Sequence, residues 1–481
     1  MSAWARLAIA CALSYSATAA SPQEQMPLLP RLALSPCSIT ERPELPDKWR
    51  ATYLMAPFTS GQLVVADLIH DASLSAMRVR LFGVRRGALD LLMAGTETYL
   101  LESNESGLAC RRLGDTGWRP FPGDWLTPQS QCVGSAPIGG TVVDWWKTPL
   151  EPAPSGYWIW TRTTDRTPFR FVFASPNDRL APLSHYAMSY QKRFEKLEDS
   201  ELAPIIQSCQ ANSLPAEGAG ADVLRGMIGN MEPARDRADN EIASLVPELS
   251  ACPATPFTQW PERLGIVGFL TPFDVVQDPA PTEVFYDWSI PAQRTRAFLP
   301  PQSPVSARDA LLLGKDGYDI LYSRNARPIC MATLPGTVRP DWQDRAPCTC
   351  AATLNGETEL SPHGTTRILS CPLASPRLAW AWYTLDGRPE VFMVTSLPGD
   401  EGAGLFAVLD YREWLPGQSF PRTVFKKPAQ CTAPPRTTKS STVRQVRPSP
   451  ASRDCSTCHV GPAAEKLKKK SGLPERHPQI H

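Results

Sequence analysis

Residues Met77–Phe82 alternate: Val79 and Leu81 fall on one face of an extended chain, Arg78 and Arg80 on the other. Similar short runs, apolar or alternating, recur at Leu91–Met93, Thr98–Leu101, Tyr157–Trp160 and Phe169–Phe173. They return at Leu311–Leu313, Asp319–Tyr322, Leu378–Trp382 and Val391–Val394. Turn-forming residues separate them at Asn104–Gly107, Asp165–Pro168 and Asp386–Pro389. Many short strands at this spacing predict antiparallel sheet. Two stretches read as helical instead: Ser184–Leu197, and parts of Asp222–Leu245, where Pro233 is the single proline. The fold class is mainly β, or α+β with a large antiparallel sheet and few helices.

The strand pattern is written twice. Leu34-Ser35-Pro36-Cys37 matches Leu249-Ser250-Ala251-Cys252, and Pro57-Phe58 matches Pro272-Phe273. Asp71, Arg78 and Arg80 match Asp287, Arg294 and Arg296 at the same spacing. Further along, Cys110 and Cys132 match Cys330 and the pair Cys348/Cys350, and Trp158-x-Trp160 matches Trp380-x-Trp382. Asp165, Tyr190 and Cys209 match Asp386, Tyr411 and Cys431. The offset drifts only from 215 (37 to 252) to 222 (209 to 431), so the chain holds two tandem copies of one domain. Copy one is 35–211, copy two 250–433, and 212–248 is a partly helical linker. Residues 434–481 form a basic tail whose Ser/Thr/Pro/Arg-rich start, Thr437–Ser452, reads as a disordered linker.

Charge sharpens that division. The 481 residues carry a net +1, but the tail alone, with ten Lys/Arg against three Asp/Glu, is +7, which leaves −6 elsewhere. The acidic body gives no reason to expect a nucleic-acid partner. The 50 prolines argue against a long-helix bundle and suit loops between short strands. Residues 1–20 have a basic Arg6, an apolar core Leu7–Leu13 and a small-x-small site Ala17-Thr18-Ala19, the form of a secretory signal peptide. No later stretch reaches the ~20 apolar residues of a membrane span. The expectation is a secreted or periplasmic protein.

Of the 13 cysteines, Cys11 lies in the signal, ten lie in the repeats and two in the tail. In an oxidising compartment the ten read as disulfides. Symmetry between the copies predicts Cys110–Cys132, Cys330 with Cys348 or Cys350, Cys37–Cys209 and Cys252–Cys431. Cys371 takes whichever of Cys348 and Cys350 remains.

The stretch Val284–Phe298 has a strand with a Tyr286-Asp287 pair, a short turn and an Arg294-x-Arg296 strand; copy one answers with His70-Asp71 and Arg78-x-Arg80. This resembles the opening hairpin of ependymin-like proteins and of the open β half-barrels of lipoprotein carriers. The resemblance covers about fifteen residues in each copy. It implies binding of a hydrophobic small molecule, with Trp158, Trp160, Trp380 and Trp382 lining the cavity. In an unrelated β-sandwich or barrel the same four tryptophans are core, and aromatic residues at strand spacing are core more often than ligand site.

The tail carries the one chemical motif, Cys455-Ser456-Thr457-Cys458-His459. C-x-x-C-H is the attachment signature of c-type haem, with His459 as proximal iron ligand and His477 or His481 as the available second ligand. Such a haem c would suit an electron-transfer protein with a redox partner. The same residues fit two other readings: a Cys455–Cys458 disulfide with no cofactor, and zinc held by Cys455, Cys458, His477 and His481. Catalytic residues are not assigned. G-x-S-x-G, H-E-x-x-H and phosphate-loop patterns are absent, and His70, His185 and His363 lack a histidine counterpart in the other copy. The repeated Asp and Arg residues read as structural ion pairs across a hairpin. Asn104-Glu105-Ser106 is a glycosylation sequon in a turn. These readings give an exported, non-enzymatic ligand-binding protein, with an electron-transfer haem protein and a cofactor-free structural or adhesion protein as alternatives.

Overall fold

The computed structural model describes residues 32–39, 41–57, 63–83, 87–104, 107–115, 126–149, 156–174, 187–215, 241–254, 258–272, 278–333, 348–372, 378–395, 407–429 and 431. Residues 1–20 with Cys11, expected to be a signal peptide, His185, most of the linker, and the tail with Cys455, Cys458, His459, His477 and His481 lie outside these residues. Among the described residues no helix is long and apolar enough to cross a membrane.

Copy one forms β1 (Lys48–Pro57), β2 (Val64–Asp71), β3 (Ala76–Gly83), β4 (Gly87–Ala94), β5 (Glu97–Asn104) and β6 (Gly107–Gly114). It continues through β7 (Gln131–Ile138), β8 (Thr141–Pro149), β9 (Gly156–Arg162), β10 (Pro168–Ala174) and β11 (Ala187–Lys196) to helix α1 (Ala203–Asn212) and β12 (Leu214–Pro215). Copy two forms β13 (Leu249–Ser250), β14 (Arg263–Pro272), β15 (Ala280–Asp287), β16 (Ala292–Phe298), β17 (Val305–Leu313) and β18 (Asp316–Ser323). It ends with β19 (Ile329–Thr333), β20 (Thr349–Leu354), β21 (Thr366–Pro372), β22 (Leu378–Thr384), β23 (Pro389–Thr395) and β24 (Ala407–Pro416).

Each copy is one twelve-stranded sheet. The spatial order is β12-β6-β5-β4-β3-β2-β1-β11-β10-β9-β8-β7 in the first and β13-β20-β21-β22-β23-β24-β14-β15-β16-β17-β18-β19 in the second. Apart from the parallel two-residue β12, every pairing is antiparallel, so tight hairpins suffice to connect most neighbours. The turn between β4 and β5 and its equivalent between β17 and β18 both place glycine in left-handed backbone, Gly95 at φ +61° and Gly314 at φ +59°.

The stretch Ser184–Leu197, read as helical, is strand β11 over Ala187–Lys196. It pairs with β1 along nine residues, and that sheet pairing overrides a weak helical pattern. The Tyr190–Tyr411 match also needs correction. Register sets Gln191 opposite Tyr53 and Tyr411 opposite Gly268, so Tyr190 corresponds to Asp410.

One face of each sheet joins a common core. There Leu54 and Phe269, Trp145 and Ile368, Trp158 and Trp380, Trp160 and Trp382, and Val172 and Met393 meet in a single buried cluster. Equivalent positions from both copies thus share one seam, the pattern of a two-fold interface within one chain. Both faces of β9 are buried. Trp158 and Trp160 enter the seam, whereas Tyr157 and Ile159 belong to a second cluster on the opposite face of the first sheet. Next to the seam, Leu202 at the start of α1 and Ile205 and Ile206 on it pack against Ile69, Leu92 and Tyr99; Val424 and Phe425 cover the matching strands of copy two.

The ten repeat cysteines form five disulfides; Cys371 takes Cys348, as expected, and the other four bridges differ from the predicted pairing. The five are Cys37–Cys132, Cys110–Cys209, Cys252–Cys350, Cys330–Cys431 and Cys348–Cys371. Each copy uses one bridge to pin its entry segment to β7 or β20, and one to pin its C-terminal segment to β6 or β19. The prediction exchanged these partners.

The repeated arginines are ion-paired, though not with Asp71 and Asp287. Arg50 and Arg80 share the buried Asp67, with Arg50 Nη2 at 3.0 Å and Arg80 Nε at 3.0 Å from Oδ2. Arg78 pairs with Asp90 at 2.9 Å. In copy two Arg294 and Arg296 both reach Asp309, at 2.7 and 2.8 Å. Asp71 instead accepts hydrogen bonds from Ser73 Oγ and Leu74 N, and Asp287 from Ser289 N and Oγ, so both close the turn after their strand.

Candidate functional site

Polar chemistry concentrates where the copies meet. The β7–β8 turn of copy one, Gly139–Gly140, lies on the 356–362 loop of copy two, where Gly140 N donates to Glu359 O at 3.2 Å. Gly139 sits at φ +58°, and a Cβ there would come within 2.2 Å of Glu359 O, so only glycine permits this approach. Arg162, at the end of β9, donates to both carboxylate oxygens of Glu359 at 2.7 and 3.3 Å and to Pro168 O at 2.7 Å. It ties a hairpin of copy one to the loop of copy two.

The deepest pair is Arg170 with Asp410. Two parallel bonds of 2.6 and 2.8 Å join them; the arginine side chain is 0% exposed and the aspartate 3%. The guanidinium also lies 4.0 Å from the centre of the Trp160 ring, a desolvated cation–π contact. Beside it, Glu390 on β23 accepts from His363 Nδ1 at 2.7 Å, with Arg388 Nε at 3.6 Å.

Burial pushes the Glu390 carboxyl above its usual range; His363 and Arg388 oppose that rise, and Asp386 adds to it. A carboxyl whose folded pKa exceeds its unfolded one stabilises the fold fully below the unfolded pKa. That contribution is lost as pH rises through the folded value. We expect Glu390→Gln to be stable relative to wild type above the ordinary carboxylate range and to lose this advantage below it. Urea unfolding across pH 4 to 8, where a carboxyl of raised pKa titrates, checks the sign.

Of these groups, Gly139, Glu359, Glu390 and Asp410 line a cleft completed by Ile138, Phe169, Leu360, Val391, Tyr411 and Arg412, with a cavity volume of about 10 Å³. That is room for about one water molecule. The cleft has room for a small ion or one small polar group between its charged side chains.

The sequence-predicted tryptophans are in the seam, not around an open cavity. Trp158, Trp160, Trp380 and Trp382 are 0 to 2% exposed, and Trp158 Nε1 donates to Pro272 O across the junction. His363 bonds Glu390, which lines the cleft, and His70 stacks on Trp49 at 5.1 Å. Among the described residues one grouping has metal-ligand spacing, Cys37, Cys132 and Asp144. Its sulfurs are bonded to each other, and Asp144 accepts from Ser38 N at 2.9 Å and from Ser38 Oγ. It is a structural knot. Arg170, Asp410, Glu390 and Arg412 were missed because matching the copies reveals residues they share, and these differ between them.

The opposite face of the first sheet is a second candidate. Trp49, Tyr53, Met55, Leu68, Met77, Val79, Leu91, Met93, Trp146 and Phe171 belong to an apolar cluster drawn from nine strands, closed to solvent. The corresponding face of the second sheet is more polar: Gln293 and Thr295 lie on it, and Arg308 and Asp319 form an ion pair there at 2.7 and 2.9 Å.

No family model matches the chain. No curated protein matches it. Solved structures resemble parts of it. One is an uncharacterized conserved protein from Thermus thermophilus, at 12% identity and TM-score 0.24, covering 36% of this chain and 92% of that one. Another is a LolA superfamily protein from Nitrosomonas europaea, at 14% identity and TM-score 0.20, with the same coverages of 36% and 92%.

Proposed function

We propose that this is an extracytoplasmic, non-enzymatic binding protein that takes an apolar ligand against the seam-distal face of its first sheet. The observation that carries the reading is the lining of that face, apolar across nine strands, with three methionines, Met55, Met77 and Met93, in one cluster. Methionine side chains are unbranched and adapt to differently shaped apolar neighbours. The described side chains fill this space themselves, so the ligand enters by displacing them. Five disulfides among the described residues support an oxidising compartment.

A brominated long-chain fatty acid tests this, because it quenches tryptophan on contact. Trp146 lies in the apolar lining, and Trp158 and Trp160 lie in the seam. Saturable quenching that falls in Trp146→Phe and persists in Trp158→Phe is the expected result. Absence of saturable quenching overturns the reading. The tail motif Cys455–His459 is a separate proposal, covalent haem c, which a pyridine haemochrome spectrum of the exported protein decides.

A further inference from the structure

The geometry points to a second binding site: the guanidinium of Arg412 holds a compact monovalent anion, of the size of chloride or a single carboxylate group, in the cleft between the copies. Arg412 is the extra residue of a β-bulge, since Val267 faces Glu413 and Gly268 faces Tyr411. Copy one has the same bulge at the same place. Thr52 faces Arg193 and Tyr53 faces Gln191, which leaves Lys192 as the extra residue. Both copies therefore turn a cation out of the ladder at equivalent points beside the seam.

The two cations differ in what neutralises them. Lys192 forms an ion pair with Glu248, four residues before Cys252, and both side chains are largely buried. The corresponding position before Cys37 is Ala33, which offers no carboxylate. Among the described residues no acid bonds to Arg412. The acids near it are committed: Asp410 to Arg170, Glu359 to Arg162, and Glu390 to His363. Glu413 and Arg388 complete its charged surroundings. Burial pulls the Arg412 pKa down, and the neighbouring Asp410, Glu390 and Glu413 oppose that fall without reversing it. The cleft it lines has a volume of about 10 Å³, enough for one compact ion. An anion there supplies what Glu248 supplies in the other half. This site is independent of the apolar-ligand reading.

Thermal unfolding of the full chain tests it, at fixed ionic strength, as sodium gluconate is replaced by sodium chloride. Gluconate is too large for the cleft. A ligand that binds only the folded state raises the melting temperature, here by roughly 2–4 °C at saturation. The rise is expected to vanish in Arg412→Gln and to persist, weakened, in Arg412→Lys, which keeps the charge. Acetate as a third salt separates the sources: a rise with acetate as well as chloride assigns a carboxylate-bearing ligand, and a rise with chloride alone assigns a halide. A wild-type melting temperature indifferent to both salts overturns the proposal, as does a rise that survives intact in Arg412→Gln.

Discussion

Replacing Arg170 with methionine is expected to cost about 3–5 kcal/mol of unfolding free energy, because Asp410 is then left charged and buried without its partner. The aspartate side chain is 3% exposed, so water cannot take over the two lost hydrogen bonds. Contact with the Trp160 ring goes with them. The double variant Arg170→Met, Asp410→Leu removes both charges and should recover most of the loss, since a buried ion pair replaced by apolar side chains of similar volume is often neutral or better. Guanidinium titration of both variants, followed by tryptophan emission, reads the effect at the seam. A single variant as stable as wild type would refute the account of this pair.

Opening the Cys110–Cys209 bridge is expected to cost a similar amount, roughly 4–5 kcal/mol, as the double variant Cys110→Ser, Cys209→Ser. The bridge spans a sequence separation of 99, and the entropy that a cross-link removes from the unfolded chain grows with the loop it closes. Both cysteines are buried, Cys209 on α1 itself, so the variant also loosens the packing of Leu202 on Ile69 and Tyr99. The short Cys348–Cys371 loop, with a separation of 23, makes the internal comparison. Its removal should cost less, about 3 kcal/mol. Equal losses from the two deletions would contradict the loop-length argument.

The strands and their duplication were legible because hydrophobic alternation and turn residues are local signals. Met77–Phe82 announced β3, and Asp165 and Asp386 announced matching hairpins. Asp165 accepts from Thr167 N at 2.9 Å, and Asp386 accepts from Thr384 Oγ1. Beyond the bridge to Cys371, cysteine pairing was not legible. Symmetry requires that the copies pair alike, and three arrangements of the four shared cysteines satisfy it equally; which one holds depends on where α1 and the entry segment cross the sheet. The seam was hidden for a different reason. Arg170 corresponds to Val391 and Asp410 to Tyr190, so the strongest link between the copies uses positions where they disagree. Comparing one copy with the other filters out such residues. The Arg50–Asp67–Arg80 cluster was half visible: the arginines repeat, but Asp67 corresponds to Glu283, so the match named the wrong aspartates.

The shared seam has a consequence for dilution. Two separate chains meeting through Trp158, Trp160, Trp380 and Trp382 would dissociate as their concentration fell. Here both partners belong to one polypeptide, so the encounter is unimolecular and its effective concentration is set by the linker. The closure of this interface therefore does not depend on how dilute the protein is. Its two halves are also free to differ, as Lys192 and Arg412 do.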